Sequence, residues 1–161
     1  MRPQVLDVCC GGRMFYFDKK DPRVLFCDIR AESHTLCDGR GLEIRPDVQC
    51  DFRRLPFADG TFHLINFDPP HLDNAGPLSW QGKKYGLLDK RSWREDLRRG
   101  FLECWRVLAA PGTLIFKWNE TRIKLADVLE CFLPRRPICG HTTSNKGHTR
   151  WMEFFKGEDN A

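Results

Sequence analysis

The chain has 161 residues, of which 41% are hydrophobic and 30% charged, and its formal net charge at pH 7 is +4. This length is enough for one domain with its own core, and the composition is that of a globular protein rather than a disordered or fibrous one. No apolar run approaches the ~20 residues of a membrane-spanning helix, and the N-terminus lacks the apolar stretch of a signal peptide, so we expect no membrane contact and a cytoplasmic location.

The basic residues and the cysteines narrow the class of protein only slightly. Basic doublets recur along the chain, which fits binding to a polyanion but equally fits solvated helix faces. Most of the eight cysteines lie inside apolar segments without the spacing of a disulfide framework, so we expect buried, reduced thiols. The alternative is a zinc site, for which Cys139, His141 and His148 are the nearest candidate ligands.

Seven short runs rich in β-branched and aromatic residues predict strands. In chain order they cover residues 4–9, 23–28, 47–50, 61–67, 112–118, 137–140 and 150–156. Several of these runs are apolar throughout, which is typical of strands buried on both faces. The segment between the second and third runs, residues 29–45, predicts an irregular loop with one helical turn.

Two segments between these runs predict helices. Residues 92–108 repeat apolar side chains with a 3.6-residue period, while charged side chains project from the opposite face. A second helix is predicted at residues 123–132. Strands that alternate with helices predict an α/β fold with a mainly parallel, doubly wound sheet. The link before the last strand is too short for a crossover helix, so that strand is predicted to run antiparallel.

In such sheets, ligands bind beyond the carboxyl ends of the strands, near the point where the strand order reverses. The first run ends in Asp7, Cys9 and Cys10, followed by Gly11 and Gly12. Small residues and glycines let a ligand approach the backbone amides closely. The alternative interpretation of the glycine pair is a tight turn.

Carboxylates also end the second and third runs. Asp28, followed by Ile29, lies about twenty residues after the glycine turn, where a carboxylate accepts hydrogen bonds from a ribose. Asp51 and Phe52 place an acceptor beside an aromatic edge that suits an adenine ring. Each residue taken singly also fits a helix cap or a turn. At successive strand ends, together, they favour a ligand site over capping.

Four stretches, VLDVCCGG, LFCDIR, DFRRLPFADGTFHLINFDPP and RVLAAPGTLIF, resemble in this order the class I S-adenosylmethionine-dependent methyltransferases. The resemblance covers nearly the whole chain, and the opening CCGGRMFYF is similar to that of small methyltransferases of phages and prophages. It implies a compact Rossmann-like fold, a single domain over residues 1–161, and S-adenosylmethionine as the cofactor. The implied cofactor contacts are Asp7, Cys9, Cys10, Gly11, Gly12, Arg13, Asp28, Ile29, Asp51, Phe52 and Arg53.

Two features depart from that family's pattern. Cysteines precede the glycines where the family has a GxG loop, so the methionine end of the cofactor is expected to be held differently. Arg13 is the candidate partner of the cofactor's carboxylate, and a surface arginine is the alternative. In the second departure, His71 stands where the family's [DN]PP[YFW] motif has Tyr, Phe or Trp.

The stretch NFDPPHL, residues 66–72, carries the candidate catalytic residues Asp68, Pro69, Pro70 and His71. Two prolines end a strand abruptly because they donate no backbone hydrogen bond and restrict φ. The resemblance implies that the Asp68 carboxylate and the Pro69 carbonyl accept the N–H groups of an amine, while His71 stacks on the acceptor ring. The alternative is a strand-terminating turn with an exposed histidine.

The long segment 72–91 is predicted to be a substrate loop or lid. Its candidate substrate residues are Trp80, Lys83, Lys84 and Tyr85, because aromatic side chains interleaved with lysines suit stacking of a base and contact with phosphates. A mobile lid with solvated lysines is the alternative. Two further candidates, Lys117 and Asn119, end the fifth predicted strand, where capping is the alternative role.

The resemblance, with its DPP motif, implies a methyltransferase that acts on an exocyclic amino group of a nucleic-acid base, with adenine favoured by the motif. The expected partner is DNA or RNA, and a base in a duplex has to be flipped out to react. The chain has no room for a separate target-recognition domain, so a protein partner is a candidate source of target selection. The alternative acceptors are a protein amide or a small-molecule amine. The alternative of another class is an inactive cofactor-binding module that regulates a partner.

Overall fold

The structure is a computed structural model that describes residues 3–14, 16–35, 38–73, 76, 79–143 and 147–158. Its elements in chain order are β1 (Val5–Asp7), β2 (Val24–Asp28), β3 (Glu32–Thr35), β4 (Gly41–Ile44), β5 (Val48–Gln49), β6 (Phe62–Phe67), α1 (Trp80–Tyr85), α2 (Trp93–Val107), β7 (Leu108–Asn119), α3 (Leu125–Glu130), β8 (Cys139–Thr142) and β9 (Thr149–Lys156).

Seven strands form one sheet in the order β5-β2-β1-β6-β7-β9-β8. From β5 to β7 all neighbours are parallel, whereas β9 runs antiparallel to both β7 and β8. The antiparallel last strand is therefore confirmed. The chain first builds outward from β1 and then returns to add β6 on the other side of β1, so the strand order reverses between β1 and β6. In open α/β sheets this reversal opens a crevice at the carboxyl ends of the strands.

One face of the sheet packs against α2 and α3. Leu6, Ile65, Leu114 and Phe154 lie in register across four strands, and all four are fully buried in the same core. The ring of Phe101 from α2 packs edge-on against Phe154, with the ring centroids 5.0 Å apart. The predicted helix at 92–108 is confirmed, because its 3.6-residue apolar stripe faces this row of strand residues.

The opposite face near β1 and β2 is covered without a helix among the described residues. Asp7, Phe26 and Asn66 lie in register on this face and are buried. The ring of Tyr16 packs edge-on against Phe26 at 4.8 Å, and the guanidinium of Arg13 lies 3.8 Å from the Phe26 ring centroid. The segment after β1 thus covers this part of the sheet with aromatic and guanidinium groups.

The prediction of an irregular loop at residues 29–45 is wrong. This segment contains the antiparallel pair β3 and β4, in which Glu32 lies opposite Ile44 and Thr35 opposite Gly41. In β4 the apolar residues Leu42 and Ile44 alternate with polar ones, and this period of two is the signature of a half-buried strand. The buried side chains of Leu42 and Ile44 pack against Trp80.

Several element boundaries differ from the predicted ones. The helix predicted at 123–132 is shorter, β7 begins four residues earlier than predicted, at Leu108, and β8 begins two residues later, at Cys139. The segment predicted as a loop at 72–91 contains the short helix α1, so part of it has regular structure. The ends of the strands depend on pairing with neighbouring strands, and a local sequence pattern contains no information about such pairing.

We expect Gly100→Ala to destabilise the protein by about 1–3 kcal/mol, although alanine is the better helix former. A Cβ at this position of α2 would lie 2.9 Å from Cζ of Phe67 and closer still to the ring of Phe52. Urea denaturation compares this variant with Gly41→Ala, a position with open space around the added Cβ. Equal stability of Gly100→Ala and the wild type would show that α2 does not depend on this close approach.

Candidate functional site

The carboxyl ends of β1, β2, β6 and β7 border a cleft that contains most of the candidate residues. Two cavities of about 90 and 190 Å³ share Cys9, Arg30, Asp68 and Tyr85 as walls. A third, more open cavity of about 530 Å³ adjoins the smaller of the two along Asp68 and Tyr85. Asp68 and Tyr85 line all three spaces. The cleft is therefore one continuous region that is divided by side chains.

The glycine turn after β1 is tied to the end of β2. Gly11 has a positive φ of 47°, which favours glycine, and its N–H donates to Oδ2 of Asp28 at 2.9 Å. The Cys10 N–H donates to the carbonyl of Cys27 at 2.8 Å. Burial raises the pKa of the Cys10 thiol to about 12, so it is neutral at pH 7 and acts as a small, weakly polar wall. Gly12 lines the same cavity as these residues.

Asp28 and Arg30 form the hydrogen-bonding centre of the cleft. Asp28 is only 3% exposed and accepts from the N–H of Arg30 at 2.9 Å and from its Nε at 3.2 Å. The same guanidinium donates through Nη1 to the carbonyl of Lys83 at 2.9 Å. Arg30 thereby connects the end of β2 to α1 across the cleft. Sequence analysis missed this residue.

A local sequence pattern, the triplet Asp-x-Arg, points to Arg30. In four Asp-x-Arg triplets the arginine N–H donates to Oδ1 of the aspartate, and its side chain pairs with the same carboxylate. The triplets begin at Asp21, Asp28, Asp38 and Asp51. Such Asx turns form locally and predict the pairing without any tertiary information. Only the tertiary structure shows that the second triplet lies in the cleft.

The residues after β5 divide between two places. The Phe52 ring packs against Phe67 at 5.4 Å and lines the 190 Å³ cavity with Asp28 and Ile29. Arg53 instead pairs with Asp51 at 2.6 Å and with Asp96 of α2 at 2.9 Å.

Asp51 and Arg53 border a separate groove together with Arg54 and Arg99. Of the three residues predicted after β5 to contact the cofactor, Phe52 is thus the one that lines the cleft.

Arg13 has a structural role that differs from the predicted one. Its guanidinium donates to the carbonyls of Lys19 and Arg45 at 2.5 and 2.7 Å and to Oδ1 of Asp47 at 3.0 Å. These bonds fasten the segment after β1 to the β4–β5 connection. Both terminal nitrogens of the guanidinium take part in these bonds, so we assign Arg13 to this fastening.

The elbow that follows β6 presents Asp68 beside β7. Oδ2 of Asp68 accepts from Nζ of Lys117 at 2.5 Å. Burial raises the pKa of Asp68, and the ammonium of Lys117 works against this shift. Gly86, with φ at 74°, passes so close to Pro70 that an added Cβ would lie 3.0 Å from its ring. The rigid elbow and this glycine therefore hold α1 against the site.

His71 is a partly buried imidazole at the elbow. Burial and the nearby ammonium of Lys117 lower the pKa of His71 to about 4. Its ring lies 5.5 Å from that of Tyr85 and 6.3 Å from that of Trp118. The predicted stacking role fits this aromatic surrounding, and the low pKa of His71 makes its ring neutral at pH 7.

The candidate substrate residues of α1 have different surroundings. Tyr85 and Lys84 line the 90 Å³ cavity, and Nζ of Lys84 lies about 5 Å from the rings of both Trp80 and Tyr85. Trp80 packs on the β3–β4 hairpin. Lys83 contributes its backbone carbonyl to Arg30 rather than its ammonium.

Asn119 lies at the larger cavity and is engaged in the protein. Its amide donates to Oγ1 of Thr149 at 3.3 Å, and its carbonyl oxygen accepts from the N–H of Thr121 at 3.1 Å. The capping role that was considered as an alternative for Asn119 therefore accounts for these two bonds.

The described part of the chain holds no group of three His, Cys, Asp or Glu side chains that is placed to bind a metal ion, and its seven cysteines are free thiols. Cys37 lies outside the described residues. No helix within the described ranges is long and apolar enough to cross a membrane.

Comparison with known proteins shows the fold. No protein-family model matches the chain, and no curated protein matches it by sequence. The PH0226 protein of Pyrococcus horikoshii superposes with a TM-score of 0.58 at 17% identity, over 96% of this chain and 82% of that one.

A second solved structure is the 1,6-didemethyltoxoflavin-N1-methyltransferase of Burkholderia thailandensis with bound 1,6-didemethyltoxoflavin and S-adenosylhomocysteine. It superposes with a TM-score of 0.57 at 13% identity, over 98% of this chain and 72% of that one. The predicted Rossmann-like fold of class I methyltransferases, with an antiparallel last strand, is confirmed.

We expect Asp7→Asn to stabilise the protein at pH 8 by about 1–3 kcal/mol, because asparagine removes a buried group that has to ionise there. Burial raises the pKa of Asp7 from 3.8 to about 7, so the folded state binds the proton more tightly than the unfolded state. The contribution of Asp7 to stability is therefore lost as pH rises from about 4 to about 7.

The gain in Asp7→Asn is expected to shrink from pH 8 to pH 5, as measured by urea denaturation at each unit of pH. Asp18→Asn, at an exposed position, is the control. A gain that is independent of pH would mean that Asp7 does not titrate in this range.

Proposed function

We propose that the chain is an S-adenosylmethionine-dependent methyltransferase that methylates an exocyclic amino group of a nucleic-acid base, with adenine as the favoured base. The observation that carries the proposal is the position of Asp68. Its carboxylate lies at the carboxyl end of β6, where the two smaller cavities meet the larger one. A group in this place can contact a cofactor methyl on one side and an acceptor amine on the other.

The fold supports the choice of cofactor. The Burkholderia thailandensis neighbour is named as an N1-methyltransferase and contains S-adenosylhomocysteine, the demethylated cofactor product. Its likeness to this chain extends over nearly the whole sheet and its connections, with 98% of this chain covered. In this chain the glycine turn, Asp28 and Phe52 line two adjoining cavities beside the reversal of the strand order, where open α/β sheets bind ligands.

The residues of the cleft fit S-adenosylmethionine in their chemistry. Asp28 ends β2 where a carboxylate can accept from ribose hydroxyls in place of Arg30, the glycine turn lets a ligand approach the backbone closely, and Phe52 offers an aromatic wall for adenine. The cavities of about 90 and 190 Å³ are each smaller than the ~300 Å³ at which small-molecule sites begin. Cys9, Arg30, Asp68 and Tyr85 line both cavities, so binding of a ligand as large as S-adenosylmethionine requires some of these side chains to shift.

The elbow would activate the acceptor amine. An exocyclic amine on an aromatic ring is a poor nucleophile because its lone pair is delocalised into the ring. A carboxylate and a carbonyl that each accept one N–H favour a tetrahedral nitrogen and localise the lone pair, and Asp68 and Pro69 supply these two acceptors. Pro70 holds the carbonyl rigid, and such preorganised groups stabilise a transition state at little reorganisation cost. The bound cofactor supplies an activated methyl group, so alignment is the remaining requirement.

The walls of the larger cavity support a planar, phosphate-bearing acceptor. The neutral His71 ring and the Tyr85 ring provide faces on which a base can stack. Lys117 and Arg122 bring positive charge to the same cavity, although each is paired with an aspartate. A base in a duplex has to be extruded to reach Asp68. We propose that a partner protein or RNA shape supplies target selection.

Methylation of a small-molecule amine is the second candidate. The observation that favours it is the Burkholderia thailandensis neighbour, which is named for a small acceptor, 1,6-didemethyltoxoflavin. A protein amide is a third possible acceptor with the same geometry. An inactive regulatory module would bind the cofactor but transfer no methyl group, which the acceptor experiment below distinguishes.

S-adenosylhomocysteine is expected to raise the melting temperature of the protein, because a ligand that binds only the folded state stabilises it by mass action. Asp28→Asn keeps an oxygen for the Gly11 N–H but loses the charge, so we expect its affinity to fall by about 1–3 kcal/mol.

Isothermal titration calorimetry measures both proteins, with Asp38→Asn, an exposed carboxylate paired with Arg40, as the matched control. No thermal shift at millimolar S-adenosylhomocysteine would remove the basis for the proposed cofactor. Equal affinity in Asp28→Asn would place the ribose elsewhere.

Asp68→Ala is expected to bind S-adenosylhomocysteine nearly normally but to transfer methyl at least about a hundredfold more slowly, the scale of losing one preorganised polar contact. Asp68→Asn should be milder, since its amide oxygen still accepts one N–H. His71→Phe should retain most of the activity, because the wild-type imidazole is neutral and a phenyl ring also stacks.

The measurement is single-turnover transfer from labelled S-adenosylmethionine to single-stranded DNA, duplex DNA, RNA, peptides and small heterocyclic amines. Preference for a heterocyclic amine over all nucleic acids would select the second candidate function. If Asp68→Ala transfers methyl groups at the wild-type rate, the elbow is only a strand-terminating turn and Asp68 has no catalytic role.

A further inference from the structure

The ammonium of Lys117 lies beside Asp68, yet the proposed activation of the acceptor amine does not use it. Lys117 is the residue after Phe116, which pairs with Phe67, so it stands on β7 directly beside Asp68 at the end of β6. Its Nζ lies 2.5 Å from Oδ2 of Asp68. On its other side β9 places Trp151 in register, with the ring centroid 5.5 Å from Nζ. Two neighbours on adjacent strands therefore hold this lysine in position.

The two carboxylate oxygens of Asp68 have different hydrogen-bonding surroundings. Oδ2 takes the ammonium of Lys117, and Oδ1 has no hydrogen bond to the described residues. The side chains of Asp68 and Lys117 are 23% and 29% exposed, so the pair is largely removed from water. An ion pair of this kind is stronger than one on the surface and also fixes the plane of the carboxylate.

We propose that Lys117 is a positioning residue that keeps Asp68 ionised and turns its Oδ1 toward the acceptor amine. The proposal rests on the proposed function, because it assigns a role within the same site. A carboxylate accepts an N–H strongly, whereas a protonated carboxyl group is a weaker acceptor and carries a competing donor. Without a cation beside it, a carboxylate at this depth gains stability by taking up a proton.

The electrostatic surroundings of Asp68 make this cation important. The carboxylate of Asp7 on β1 is close enough that each ionised group disfavours the charge of the other. Burial itself raises the pKa of Asp68, and Lys117 opposes that effect. The other titratable or charged groups that border the adjoining cavities are Cys9, Cys10, Asp28, Arg30, His71, Lys84, Tyr85 and Arg122.

A contact between Lys117 and the acceptor is the competing role, and it has a different kinetic signature. Loss of a binding contact raises KM and leaves the pH dependence unchanged. Loss of the positioning role lowers kcat at neutral pH and lets it recover as pH rises, since Asp68 then ionises only at higher pH. The acid limb of the kcat profile is expected to move to higher pH in Lys117→Met and to stay in Lys117→Arg, which keeps the charge.

The decisive experiment titrates Asp68 directly by carbon-13 NMR of its side-chain carboxyl group, assigned by its loss in Asp68→Asn. It compares the wild type with Lys117→Met, Lys117→Gln and Lys117→Arg, and Lys124→Met, at an exposed lysine, is the matched control. In both neutral variants we expect the pKa of Asp68 to rise by at least about one pH unit, the effect of removing an opposite charge at this distance. Lys117→Arg and Lys124→Met should titrate like the wild type.

The outcomes separate this proposal from the proposed function. An unchanged Asp68 pKa in folded Lys117→Met and Lys117→Gln overturns the role of Lys117, even if the protein transfers methyl groups. A rise in KM with an unshifted acid limb overturns it in favour of acceptor contact. The titration needs neither cofactor nor acceptor, so a protein that binds no S-adenosylhomocysteine and methylates nothing rejects the proposed function independently of the NMR result.

Discussion

Three carboxylates converge at the carboxyl edge of β1, β2 and β6, and the arrangement of the site follows from how each is stabilised. Asp28 and Asp68 are each paired with a cation, Arg30 and Lys117 respectively. Asp7 is the most deeply buried of the three. Its pKa rises to about 7, so its carboxyl group is partly protonated near neutral pH. Ionised carboxylates this close destabilise one another. Arg30 and Lys117 therefore stabilise the folded protein whether or not a ligand is bound.

These two cations also connect the site to the rest of the fold. Arg30 reaches from the end of β2 to the carbonyl of Lys83, so the charge that balances Asp28 also holds α1 over the cleft. Lys117 comes from β7, so the pairing of β6 with β7 sets the orientation of Asp68. An electrostatic requirement at one sheet edge thus positions the helix that carries Tyr85, which borders all three cavities.

The two faces of the sheet near this edge are covered by different kinds of structure. α2 and α3 build the large core on one face, while the segment after β1 covers Phe26 on the other with Tyr16 and Arg13. The β3–β4 hairpin follows β2 and precedes β5 in the chain, and its Leu42 and Ile44 pack against Trp80 of α1. On one side of the cleft, the described residues that cover the sheet are therefore a hairpin and an aromatic segment rather than helices. The carboxyl edge of the sheet stays open next to α1.

The sequence by itself determined the alternation of strands and helices, the parallel sheet with its antiparallel last strand, and the strand-end positions of Asp7, Asp28 and Asp68, because periodicity and strand-ending residues are local. It also contained the Asp-x-Arg turns and the alternation in β4, although sequence analysis overlooked both. Only the tertiary structure decided that Arg13 fastens loops, that Arg53 turns toward α2, and that Lys117 pairs with Asp68. The physical reason is that an arginine or lysine side chain is long and flexible, so its partner depends on which carboxylates the folded sheet brings within reach.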